Sequence, residues 1–113
     1  MTTIPLEDTF ADIIGKAQRG LKFSDEDLSQ RAGISTEQLV GLKEGNFDEA
    51  AARKVAPVLQ LAPNALVELG KKSWHPPSHE LNGLAQFNTP FEDMTVNAYL
   101  VFDPKTKEAV AFD

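Results

Sequence analysis

The chain contains no cysteine. That excludes a disulfide framework, a thiolate metal site and a cysteine nucleophile, and it leaves any core to stand without covalent staples. Cations are also scarce: 11 lysines and arginines face 17 aspartates and glutamates, for a formal net charge of −6. A protein that works by neutralising phosphates usually leans the other way. No apolar run approaches the length of a membrane span, and the start, MTTIPLEDTF, lacks the basic residues and apolar stretch of a signal peptide. These absences lead to the expectation of a soluble, cytoplasmic chain with no membrane partner. The 113 residues, 42% of them hydrophobic, suffice for one small domain and a fragment of another. No Ser/His/Asp set, phosphate-binding glycine loop or paired carboxylates can be assembled, so no catalytic residue and no cofactor is assigned to the chain.

What is present is organised around Ser24 to Gly45, which reads as two short helices about a tight turn at Gly33. Ser24 is a natural N-cap, Leu28 and Ala32 point to a core, and Gly33 offers the positive φ that a sharp turn needs. Ser35 caps the next helix, whose inner face is Leu39 and Leu42. Upstream, Phe10, Ile13, Ile14, Ala17 and Leu21 recur at helical spacing, and the helix carrying them is expected to begin near Pro5 and end at Gly20. Downstream, Asp48 caps a fourth helix through Ala51, Ala52, Val55 and Leu59. Pro63 opens a fifth, expected to end at Gly70.

Beyond it the character changes. SWHPPSHE carries prolines and no periodicity, and it reads as a linker over 73–82 with Trp74 expected to anchor it on the helices. His75 and His79 stand four apart, but two prolines between them argue against the helix that would aim both at one metal, so no metal ligand is assigned. From there the period is two: Thr95 to Phe102 and Ala109 to Phe112 are strands about a DPKTKE turn, and Gly83 to Phe87 is a weaker third. The expected fold class is mainly α, with five helices over 1–72 and a short C-terminal β-hairpin segment of two or three strands over 83–113.

The pattern Leu28, Ala32, Gly33, Ile34, Ser35, Leu39, Leu42, Glu44, Gly45 resembles the lambda-repressor-like, or xenobiotic-response-element, helix-turn-helix family over about residues 6 to 70. The resemblance implies a DNA-binding, transcription-regulating module that acts on double-stranded DNA, with its third helix in the major groove. By position, the base readers would be Thr36, Glu37 and Gln38, with Lys43 and Arg31 on the phosphate backbone. Gln38 could pair an adenine edge and Glu37 could accept from a cytosine amine. The chain departs from the family at Asp25, where a carboxylate stands in place of a common glutamine, and at Val40 and Gly41, where polar contacts are usual. Residues 1–72 hold 9 lysines and arginines against 11 aspartates and glutamates, a net of −2. Glu37 and Glu44 therefore also read as solvated helix carboxylates.

The tail has a second resemblance. Asn97, Tyr99, Leu100, Val101 and Asp113 are similar to the opening strands of the metallo-β-lactamase fold. The metal ligands of that family, a His-x-His-x-Asp-His run and later histidines, lie beyond such a start. The resemblance implies the first part of a longer metal-dependent hydrolase, with the helical module in front as a DNA-binding or, alternatively, an interaction or oligomerisation module. An isolated hairpin is marginal in water, so a homodimer through the C-terminal strands is also expected.

Overall fold

The computed structural model describes residues 4–113. Among these, five helices precede three strands: α1 (Phe10–Gly20), α2 (Asp25–Ala32), α3 (Thr36–Lys43), α4 (Glu49–Val58), α5 (Pro63–Lys71), β1 (Leu84–Phe91), β2 (Met94–Phe102) and β3 (Ala109–Phe112). The chain divides into two compact units. One is Asp8–Trp74, which holds all five helices, and the other joins residues 4–7 to His75–Asp113. No helix of the described residues is long and apolar enough to cross a membrane.

In the helical unit, helix starts are set by side-chain caps. α1 begins at Phe10, five residues later than Pro5 suggests. The reason is a capping box in which Thr9 accepts from the Asp12 amide and Asp12 accepts from the Thr9 amide at 2.8 Å. Ser24, Ser35 and Asp48 cap α2, α3 and α4, each accepting from the amide three residues on. Pro63 stands at the start of α5, where its missing N–H is no loss.

α1 ends at Gly20, as its sequence suggests, and α5 runs one residue past Gly70 to Lys71, but neither glycine supplies the left-handed turn. After α1 the left-handed residue is Lys22 (φ 59°), and after α5 it is Lys72 (φ 55°), with Gly70 still helical. Gly70 is needed for space. A Cβ at this position would lie 2.0 Å from the Phe47 ring, so only glycine lets the ring lie against α5. Phe47 also meets Phe10 edge to face, with centroids 5.3 Å apart. Around this pair Ile14, Leu28, Leu39, Leu42 and Val55 are fully buried, drawing α1 to α4 onto one core, to which α5 adds Leu66. Burying each of the leucines is worth about 2 kcal/mol in transfer free energy. Trp74 keeps half of its surface in solvent (50%) instead of anchoring the linker. The exit from α5 is tied earlier, by the Ser73 amide donating to the Glu68 carbonyl at 3.0 Å.

The second unit is built on an antiparallel sheet in the order β1-β2-β3. The third strand is complete: β1 runs to Phe91, well past Phe87, and joins β2 through Glu92 and Asp93, with Glu92 at φ 54°. Register pairs Phe87 with Ala98, Leu100 with Ala111 and Tyr99 with Phe112. One face therefore carries Phe87, Phe91, Met94, Val96, Leu100 and Phe102, and the other carries Tyr99, Val101, Val110 and Phe112. Pro90 lies on β1, whose outer side is a free edge, where a strand proline is tolerated. β3 is too short to cover all of β2. Beyond it the Asn97 amide donates to the Glu7 carboxylate and its side-chain nitrogen donates to the Pro5 carbonyl at 2.8 Å, so the segment around Pro5 lies beside the strand.

Candidate nucleic-acid interface

The helix-turn-helix geometry is set first by its turn. Gly33 takes the left-handed conformation (φ 69°, ψ 37°), and the chain turns through the Ile34 amide, which donates to the Ser29 carbonyl at 3.1 Å. An L-residue there would pay in backbone strain alone, because nothing stands within 4 Å of a Cβ at Gly33. Ile34 packs partly buried against the core, as its place in the angle between α2 and α3 requires.

α3 turns Leu39 and Leu42 fully inward, which leaves Thr36, Glu37, Gln38 and Val40 exposed. Thr36, Glu37 and Gln38 thus share the first turn of one exposed helix. Their chemistry is not equally free. Gln38 closes a capping box: its Oε1 accepts from the Ser35 amide at 2.9 Å, while its own amide donates to Ser35 Oγ at 3.1 Å. Its Nε2 still has donors to offer. Thr36 and Glu37 have no such engagement in the capping box.

The two basic residues are both occupied within the unit. Arg31, at the end of α2, places its guanidinium 5.0 Å from the centroid of the Phe23 ring. Lys43, at the end of α3, donates to Asp25 Oδ1 at 2.5 Å, and its side chain is only 29% exposed. Asp25 also accepts from Gln18 Nε2 at 2.6 Å, and the buried Gln18 donates in addition to the Phe23 carbonyl. The Lys43 ammonium, followed by the Gln18 amide, holds the Asp25 carboxyl below its usual range. Asp25 begins α2, where its charge also favours the helix dipole.

Asp25 is the residue whose part was least visible in advance. Its sequence position suggests a carboxylate facing phosphate or a helix-start charge. The structure instead ties it inward to a partner eighteen residues away, and no local spacing signals that pairing. Val40 is exposed on α3 and Gly41 is partly buried, with nothing within 4 Å of a Cβ placed at Gly41. His75 and His79 are both exposed. Among the described residues no three histidine, cysteine, aspartate or glutamate side chains come together as a metal site would require. Set beside protein-family models, curated proteins and solved structures, the chain matches none of them.

Proposed function

We propose that the five-helix unit is a DNA-binding, transcription-regulating helix-turn-helix module of the lambda-repressor-like class, and that it works on double-stranded DNA at low intrinsic affinity. The observation that carries this reading is the combination of the left-handed turn at Gly33 with an exposed first turn of α3 bearing Thr36, Glu37 and Gln38. The buried Leu28, Leu39 and Leu42 fix the two helices on the core and leave that turn on the surface. The low affinity follows from the charges, since nonspecific binding grows with the number of phosphates neutralised and residues 1–72 carry a net charge of −2. A homodimer joins two such weak contacts on neighbouring half-sites. Titrating the isotopically labelled chain with a random duplex of about 20 base pairs tests the reading. Amide shifts concentrated at residues 36–40 support it, and shifts confined to other helices, or none, refute it.

A second reading is favoured by the sheet. Phe87 (53%), Phe91 (60%) and Phe112 (56%) lie exposed on its two faces, an arrangement that an independent three-stranded sheet does not readily tolerate in water. In this reading the strands open a metallo-β-lactamase-like, metal-dependent hydrolase, and the helical unit is an interaction or oligomerisation module in front of it. The gene past Asp113 tests the hydrolase, which can equally follow a DNA-binding module. A His-x-His-x-Asp-His run there supports the hydrolase, and its absence removes it. Sedimentation tests the dimer: a monomer at high concentration counts against pairing through the C-terminal strands.

A further inference from the structure

Lys43, which the DNA-binding reading sets on the phosphate backbone at the end of α3, is held by Asp25 of the same unit. We infer that Asp25 is a built-in brake on nucleic-acid binding, which keeps Lys43 from the DNA backbone by gripping its ammonium. This rests on the DNA-binding reading and adds to it the residue that sets its affinity.

Three observations bear on it. The grip spans the two helices of the turn, from the first residue of α2 to the last of α3, the pair of helices that the DNA-binding reading sets against the duplex. Asp25 has a second side-chain partner that favours the same position, because the buried Gln18 donates to the oxygen that Lys43 also reaches. For the carboxylate to turn away from Lys43 it must also give up the Gln18 hydrogen bond. Among the described residues Lys43 is the cation within hydrogen-bonding reach of Asp25, whereas Lys16, Arg53 and Lys71 are paired elsewhere, with Asp8 and Glu49. For Lys43 to bind phosphate it must leave a short, partly shielded charge-assisted hydrogen bond and strand the Asp25 charge beside the polyanion. Both effects oppose binding.

The experiment measures fluorescence-anisotropy titrations of a random duplex of about 20 base pairs at several salt concentrations. It compares the full chain with Asp25→Asn, Lys43→Gln and the double substitution. Asparagine keeps an oxygen for Gln18, and circular dichroism with thermal melting checks that each variant is folded. Asp25→Asn is expected to bind about threefold more tightly near 50 mM salt, in line with the modest strength of a partly exposed pair, with a salt slope steeper by about 0.9, the signature of one more phosphate contact. Lys43→Gln alone is expected to change little, and the double substitution to return close to the parent. Equal binding by the parent and Asp25→Asn overturns the brake while leaving the DNA reading intact. A gain that survives in the double substitution also overturns it, since simple repulsion by Asp25 is then the cause. Absence of binding by every folded variant, even at the lowest salt, overturns both.

Discussion

Lys43 Nζ and Asp25 Oδ1 meet at 2.5 Å across the crossing of α2 and α3, and Gln18 completes the contact from α1. One carboxylate therefore fastens three helices that the leucine core already brings together. The pair is partly open to solvent, with side-chain exposures of 29% and 41%, so its own coupling is expected to be modest, about 0.2–1 kcal/mol. A double-mutant cycle of Asp25→Asn and Lys43→Gln, followed by urea unfolding, checks this. A coupling of several kcal/mol would mean that the pair, and not the core, holds the motif together.

Acid should weaken the fold through the same group. The folded-state pKa of Asp25 lies below the ordinary value of 3.8, owing first to Lys43 and then to Gln18, and that of Asp12 is lowered by the Thr9 amide and hydroxyl. A depressed folded pKa contributes stability that is fully present above the unfolded value and is lost as pH falls through the folded one. The urea midpoint should hold steady from neutral pH to about 5 and fall from about 4 downward. In Asp25→Asn the fall should be shallower. A midpoint unchanged down to pH 2 is the contrary result.

Two glycines in helices should respond in opposite ways. Gly70→Ala forces a methyl group into the Phe47 ring and is expected to cost about 1–3 kcal/mol, more if the ring cannot shift. Gly20→Ala meets nothing within 4 Å and should be neutral or stabilising by up to about 1 kcal/mol. Denaturant unfolding of the two variants side by side reads both effects. Equal responses would show that Gly70 is not a packing residue.

The start of α3 rests on its cap. Ser35→Ala removes the acceptor for the Gln38 amide and should cost about 1 kcal/mol, while Gln38→Ala should cost less. Because the two side chains serve one box, the double substitution should cost less than the sum, as thermal unfolding of all three variants will show. Strict additivity would mean that the two hydrogen bonds act independently.

Most of the helical unit was legible in the sequence because its signals are local. Ser24, Ser35 and Asp48 cap as serines and aspartates do, and the spacing of Leu28, Leu39 and Leu42 marks the buried face. What local pattern misread was where the chain needs a positive φ and where it needs room. α1 does stop at Gly20, but Lys22 and Lys72 take the left-handed turns, and Gly70, still helical, answers to a ring twenty-three residues away. The start of α1 was misplaced because Pro5 and the Thr9–Asp12 box are both valid start signals, and the two reciprocal hydrogen bonds win. β1 was expected to be short because Asn88, Thr89 and Pro90 look like a turn. Pairing with β2 carries them, and the free outer edge tolerates the proline. At the candidate interface the residue types were legible and their engagement was not: Gln38, Arg31 and Lys43 all find partners inside the unit.

The central claim is that this unit binds duplex DNA, weakly, through the exposed turn of α3. Equilibrium binding of the unmodified chain to a random duplex, followed from about 20 to 200 mM salt, tests it most directly. The expected result is measurable binding at the lowest salt that fades as salt rises, with a shallow log–log slope reflecting only a few neutralised phosphates. No binding at the lowest salt, with the chain shown to be folded, contradicts it.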